Sequence, residues 1–234
     1  MPRTVLVTGG NRGIGLAIAR EFLDRGDRVA VTYRNEPPTG EFTAVRCDVA
    51  DMDQIDAAFT TVEAEIGPVE ILVSNAGVTE DRPMIRMQEE HFSRVLDTNL
   101  TGGWRCARRA LPKMLRGRWG RIVFVSSVAG LRGNPGQANY AASKAGMVGM
   151  ARSMAREYAT AGVTVNVVAP GLIETDMSAS LPEARRAAHL AEIPAGRAGG
   201  AEEVAAAVAW LAGERAGYVT GAVIPVDGGL GMGH

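Results

Sequence analysis

Cysteine is almost missing from this chain. Only Cys47 and Cys106 occur in 234 residues, far apart and without metal-type spacing. Three scattered histidines (His91, His189, His234) add no second half of a zinc cluster, so the sequence predicts no metal site and a reduced, cytoplasmic setting. An excess of charge of one sign is missing too. Lys and Arg number 25 against 26 Asp and Glu, a formal net charge of −1. No global field therefore draws the chain to nucleic acid or to an anionic membrane. No apolar run reaches the ~20 residues of a transmembrane helix, and the chain opens on a strand pattern rather than a signal peptide. Internal repeats, linkers and low-complexity segments are absent as well. What remains is ordinary for a soluble globular protein, with 46% hydrophobic and 22% charged residues. The length suits one domain spanning 1–234. Glycine, at 29 residues, is the one excess, and it clusters where chemistry would use it.

Short β-branched runs alternate with helical patterns along the chain. Strands are expected at 3–8, 28–33, 42–46, 69–74, 122–125, 163–168 and 222–226, and helices at 16–25, 52–66, 88–116, 140–160 and 202–212. Such alternation predicts an α/β fold of the Rossmann type, a doubly wound parallel seven-stranded sheet with helices on both faces. Ligands of such sheets lie at the carboxyl ends of the strands, so those ends hold the candidate residues.

The first strand runs into Gly9-Gly10-Asn11-Arg12-Gly13-Ile14-Gly15 and then into a helix. Glycines permit a tight turn and close approach of backbone to phosphate, and the helix N-terminus offers unpaired N–H groups. In this strand–loop–helix context the motif predicts a dinucleotide site. After the second strand, where an acidic residue would bind the ribose hydroxyl of NAD, stands Arg34. Arg34 and Arg12 suit a 2′-phosphate, which favours NADPH/NADP+ over the NAD pair. Asp48 and Val49 follow the third strand, where an adenine edge would lie. Asp48 reads equally as a turn or N-cap aspartate. Asn75-Ala76-Gly77 ends the fourth strand and leaves room for a ribose or nicotinamide, or else is a plain turn. The helical run 88–116 weakens at Asn99-Leu100-Thr101-Gly102-Gly103, where a freed carbonyl near Asn99 could hold a water. Ser126 and Ser127 follow the fifth strand. Arg116, Arg118 and Arg121 make a local basic turn, by default a solvated loop. The breaker-rich stretch 172–200 reads as a mobile lid over a substrate.

Asn139-Tyr140-Ala141-Ala142-Ser143-Lys144 sets a tyrosine and a lysine one helical turn apart. An ammonium beside a phenol favours the phenolate and brings its pKa down, making a proton donor for a developing oxyanion. Spacing alone favours a plainer reading, a surface Tyr and Lys. The glycine loop and the polar strand ends argue for chemistry.

Taken in order, Thr8 to Gly15, Asn75-Ala76-Gly77, Asn99, Ser127, Tyr140 to Lys144 and Pro170-Gly171 resemble the short-chain dehydrogenase/reductase family along the whole chain. Gly136 to Tyr140, Asn166 to Gly171 and Ile173-Glu174-Thr175-Asp176-Met177 resemble its 3-oxoacyl-[acyl-carrier-protein] reductases. The ending, from Ile224 to His234, is similar to actinobacterial members. The resemblance implies Tyr140 as general acid, Lys144 as its electrostatic partner and ribose ligand, and Ser127 rather than Ser126 as the serine. It implies that Asn99 holds a water linking Lys144 to solvent and that Asn75, Ala76 and Gly77 line the ribose. Pro170, Gly171, Ile173 and Thr175 fall on the nicotinamide side. The implied reaction is reduction of a 3-oxoacyl thioester with NADPH by a homotetramer, with acyl-carrier protein as partner. Arg116, Arg118 and Arg121 are the candidate docking residues. Alternatives are a broader ketone or 3-oxoacyl-CoA reductase of secondary metabolism and, in another class, an NADP-sensing regulator without catalysis.

Overall fold

The computed structural model describes residues 2–40, 42–175 and 183–232. Its strands are β1 (Thr4–Val7), β2 (Arg28–Tyr33), β3 (Thr43–Arg46), β4 (Ile71–Ser74), β5 (Gly120–Val125), β6 (Val163–Pro170) and β7 (Val223–Val226). They form one seven-stranded sheet in the order β3-β2-β1-β4-β5-β6-β7, and every pairing is parallel. Parallel strands need covering on both faces, which is why β1, β4, β5 and β6 are buried at every position.

Alternation along each strand divides the core in two. Leu6, Leu72, Ile122, Phe124 and Val165 point to one face. There they meet Ile55 and Phe59 of α2 (Met52–Ile66), Met114 of α4 (Gly102–Gly117) and Met147 of α6 (Ala138–Tyr158). Val5, Val7, Ile71, Val73 and Val123 point to the other face. They meet Ile18 and Phe22 of α1 (Gly13–Asp24) and Val204 and Val208 of α8 (Ala201–Leu211). The remaining helices are α3 (Glu89–Leu96), a short α5 (Ala129–Arg132) and α7 (Glu183–Glu192).

Strand order reverses at β1, whose neighbours are β2 on one side and β4 on the other. Chains leaving β1 and β4 therefore diverge to opposite faces and leave a crevice at their carboxyl ends. The expected interruption of helix 88–116 is a π turn, Asp97–Thr101, joining α3 to α4 without a break. The amide of Gly102 reaches back five residues to the carbonyl of Asp97 there. Gly102 also lies where a Cβ would fall 2.9 Å from Val49 Cγ2, so α4 can approach the end of β3 only with glycine at that point.

The segment read as a lid is anchored at both ends. Ile173 is buried in the core and pairs with Gly199 in an isolated parallel bridge, and Ile193 and Ala198 are buried too. Helix α7 lies between those anchors. Asp176, Met177 and Leu181 of that segment, and His234, lie outside the described residues.

Candidate active site

Thr8 and Asn75, at the ends of β1 and β4, fasten the two sides of the crevice together. The Thr8 hydroxyl accepts the backbone N–H groups of Asn75 and Ala76, both at 3.0 Å. Asn75 Nδ2 donates to the carbonyls of Thr8 (3.0 Å) and Gly9 (3.1 Å). The Asn75 side-chain amide, expected beside a ribose, is engaged with the glycine loop, and Ala76 and the bare Gly77 follow it. Gly9 takes a positive φ of 63°, which suits glycine. A Cβ on Gly15 would sit 2.3 Å from Gly9 O and 2.5 Å from Asn75 Nδ2. The glycine loop and helix α1 are thus locked onto each other, and any side chain at 15 would pry them apart. Helix α1 begins at Gly13, earlier than its apolar pattern suggests, with Arg12 as an extended N-cap that contributes no side-chain bond. Its first N–H groups stay available to an anion.

Around the crevice rim, Arg12 and Arg34 are exposed, and neither makes an ion pair among the described residues. Arg46 Nε donates to the Arg34 carbonyl at 3.1 Å and adds a third guanidinium to that corner. Asp48, left open by the sequence, is a turn residue: its carboxylate accepts the Ala50 N–H at 3.0 Å. The N-cap of α2 is Asp51, which accepts from Asp53 and Gln54. Val49 is buried beside it. Asn11 Nδ2 donates to the Glu36 carbonyl and ties the glycine loop to the turn after β2, while Ile14 packs on the core.

Ser126 and Ser127 separate cleanly. Ser126 is buried, and its hydroxyl donates to the Lys144 carbonyl at 2.9 Å, a structural bond. Ser127 Oγ accepts the Ala129 N–H at 3.2 Å and lies close enough to the Tyr140 hydroxyl to pull its pKa down. Lys144 is 3% exposed. Its ammonium donates to the Val125 carbonyl at 2.8 Å and lies 5.5 Å from the centroid of the Tyr140 ring. Burial alone brings Lys144 down from 10.5 to about 8.

Tyr140 departs from the expectation that the ammonium lowers its pKa. Burial pushes the phenol up; the Ser127 hydrogen bond pulls it down, and the charge of Asp81 raises it further. Desolvation of the phenolate outweighs the help it receives, so in this structure the tyrosine is a protonated donor. Asn99 is fully buried. Its side chain accepts from Val78 N (2.8 Å) and donates to Val78 O (3.0 Å) and to Ser143 Oγ (3.0 Å). Asn99 therefore clamps the chain beyond Gly77 to helix α6. A Cβ on Gly77 would fall 3.1 Å from Asn99 Oδ1 and 3.6 Å from Lys144 Nζ, which keeps that passage narrow.

On the far wall, Pro170 closes β6, its carbonyl accepting the Val128 N–H at 2.9 Å. Gly171 passes Asp227 so closely that a Cβ would meet its Cα at 2.8 Å. The Ile173 side chain lies in the core, 5% exposed, and cannot line a pocket. Its backbone can. The bridge to Gly199 uses the Leu172 carbonyl and the Glu174 N–H, so the N–H and C=O of Ile173 itself point away from Gly199. Thr175 reaches across the glycine loop, its Cγ2 3.5 Å from where a Cβ on Gly13 would be.

Arg121 does not belong on a docking surface. It is the second residue of β5 and 5% exposed, stacked on the Trp119 ring at 4.4 Å. Arg116 and Arg118 are exposed, but they precede β5, at the end of the sheet opposite Ser127.

Sequence reasoning gave no role to Asn139 or Gly130. Asn139, fully buried, donates to the carbonyls of Glu80 and His91 and accepts the N–H of Tyr140. Gly130 lets α5 lie flush against α6, since a Cβ would be 2.8 Å from the Lys144 backbone. A polar residue just inside an apolar helical face is the signal that could have found Asn139. Gly130 carried none.

Residues 9–231 match the family profile described as Enoyl-(Acyl carrier protein) reductase. A protein of Mycobacterium tuberculosis named 3-oxoacyl-[acyl-carrier-protein] reductase MabA is 57% identical over 99% of this chain and 94% of its own length. The protein of that name from Mycobacterium avium is 55% identical over 99% and 91%. The Escherichia coli 3-oxoacyl-[acyl-carrier-protein] reductase FabG is 44% identical over 98% of both chains. The chain belongs to the short-chain dehydrogenase/reductase family. Membership makes it an oxidoreductase with the Rossmann-type sheet described above, and it covers the glycine loop and the Ser127–Tyr140–Lys144 cluster together. Among the described residues no helix is long and apolar enough to cross a membrane.

Proposed function

We propose that this protein reduces 3-oxoacyl groups carried on acyl-carrier protein to 3-hydroxyacyl groups, with NADPH, in fatty-acid biosynthesis. The observation that carries this reading is the meeting of the Ser127 and Tyr140 hydroxyls above the buried Lys144, on the rim shared with the glycine loop. The names of the full-length relatives agree with it.

The crevice suits a dinucleotide. Gly9, Gly13 and Gly15 leave bare backbone at the start of α1 for a pyrophosphate, with Asn11 and Ile14 completing the loop. Arg12 and Arg34, without carboxylate partners, favour the 2′-phosphate of NADPH. Asp48 and Val49 flank the adenine side; Ala76, Gly77 and Lys144 the ribose; Pro170, Gly171, the Ile173 backbone and Thr175 the nicotinamide. Bound there, the reduced nicotinamide supplies the hydride that the keto carbon accepts.

Everything else is work for the chain. Ser127 and Tyr140 present two hydroxyl donors to one substrate oxygen, which is what a carbonyl turning into an alkoxide requires. Tyr140, held protonated by burial, delivers its proton as that charge develops. Lys144 sits where an ammonium steadies the phenolate left behind, and Asn99 holds the narrow passage through which a water returns a proton. Residues 172–200 cover the acyl chain as the lid of a single domain.

The protein is proposed to act in the cytoplasm as a homotetramer, with Trp104 of α4 and the small-sided α6 at subunit contacts. Because Arg116 and Arg118 lie at the wrong end of their own sheet, a carrier docked on them would serve a neighbouring subunit's crevice. The test is turnover of 3-oxoacyl-carrier-protein, 3-oxoacyl-CoA and an unrelated ketone, with NADPH, by the wild type and Tyr140→Phe. The carrier-linked substrate should be fastest, and Tyr140→Phe should lose about 10³-fold in kcat with NADPH affinity retained. An unrelated ketone turned over as fast, or an active Tyr140→Phe variant, would overturn the reading.

A further inference from the structure

The loop after β4 and the residues that lead into the catalytic helix are bound together by contacts that the reaction outlined above does not use. Gln137, the N-cap of α6, donates from Nε2 to both carboxylate oxygens of Asp81, at 3.0 and 2.9 Å. Its Oε1 accepts from Asn134 at 2.8 Å, so the whole amide is engaged. Arg82 N donates to the Gly136 carbonyl at 2.8 Å, and Asn139 Nδ2 to the Glu80 carbonyl at 3.0 Å. Four hydrogen bonds thus join residues 80–82 to residues 136–139, and Tyr140 is the next residue along.

The charges in this region are unequal in what they have left to give. Glu80 is shared among Arg82 (3.6 Å), His91 (3.5 Å) and Arg94 (3.9 Å). Asp81 has no cationic partner among the described residues; it is held by a neutral amide. Helix α6 has no acidic residue in its first turn, the place where a negative charge best complements the helix dipole. Asp81 fills that place from another element. Ser127 from the turn after β5 and Lys144 from its own helix are the groups against Tyr140 itself.

From this geometry we propose that Asp81 is a positioning residue for the proton donor: through Gln137 it fixes the first turn of α6, and with it the place from which Tyr140 projects. The inference rests on the assignment of Tyr140 as general acid. A proton donor works only when its hydroxyl is held within hydrogen-bond reach of the substrate oxygen, and a first turn of α6 free to shift would lose that alignment.

The experiment compares kcat for 3-oxoacyl reduction, NADPH affinity and thermal midpoint in wild type, Asp81→Asn, Asp81→Ala and Tyr140→Phe. Asp81→Asn removes the charge but keeps an acceptor for Gln137, so it should hold kcat within about twofold of the wild type. Asp81→Ala frees Gln137 and should lower kcat about tenfold, with unchanged NADPH affinity and thermal midpoint. Full kcat in Asp81→Ala, or a loss in Asp81→Asn as large as in Asp81→Ala, would overturn the positioning through Gln137. An active Tyr140→Phe variant would instead refute the general acid; an inactive one beside unchanged Asp81 variants would refute only the role given to Asp81.

Discussion

Lys144 has the most to lose by being where it is. Its ammonium is buried, and its pKa falls from 10.5 to about 8. The folded value lies below the unfolded one, so between pH 8 and 10.5 the folded chain binds fewer protons and stability rises with pH. Below 8 the whole cost is present. Lys144→Met, which keeps the volume and drops the charge, should therefore be inactive yet more stable at pH 7 by up to about 3 kcal/mol. That gain should shrink as pH climbs from 8 towards 10.5, as chemical denaturation across that range would read. A Lys144→Met variant less stable than the wild type at pH 7 would mean that the bond to Val125 O more than offsets the desolvation. Arg34 makes the complementary case at the rim. Arg34→Asp should weaken NADPH binding far more than NADH binding, about tenfold or more in the ratio of dissociation constants, because it replaces attraction to the 2′-phosphate with repulsion. An unchanged ratio would shift that role to Arg12 or Arg46.

Elements were the most legible part of the sequence, and for a definite reason. The strands of a parallel sheet are apolar on both faces, so 28–33 and 163–168 stand out as runs rich in β-branched residues. Boundaries set by backbone alone did not stand out. Helix α1 starts at Gly13 because the loop's geometry, not an apolar stripe, begins it. The short helix α5 is four residues long and has no period to detect. Within the site, residue types and spacing revealed Ser127, Tyr140, Lys144 and the glycine loop, since their chemistry is carried by side chains or by the lack of one. What stayed hidden were pairings across the fold: Asn75 on the glycine loop, Asn99 on Val78, Asn139 on Glu80, and the burial that raises Tyr140. Arg121 misled because a basic residue beside a turn looks exposed until the strand is seen to begin at Gly120, two residues earlier than expected. One cross-element pair invites its own test. Arg132 at the end of α5 bridges Glu192 at the end of α7 at 2.6 Å and ties the two helices together. Both partners are partly exposed, so Arg132→Ala should leave global stability nearly unchanged while raising amide exchange in α7 about fivefold, the effect of ~1 kcal/mol released locally. Exchange that did not change would show that the buried Ile173 and Ile193 anchors hold α7 unaided.

At the scale of the molecule, the proposed tetramer gives the wrong-end arginines and the exposed aromatics a single explanation. Trp104, 46% exposed and stacked with Arg108, stands on the outer face of α4. On α6, Gly149 has nothing within 4 Å of where a Cβ would point. Sedimentation should give the mass of four chains, and Trp104→Glu should reduce it; a monomeric wild type would leave Arg116 and Arg118 without a crevice to serve. The tie between Asn75 and the glycine loop reaches further than the site it braces. Because β1 and β4 are neighbours in the sheet, the bond that closes the cradle is made by the same step that pairs those strands. The brace of the glycine loop is therefore the sheet's own seam, and whatever loosens β1 from β4 loosens the loop with it.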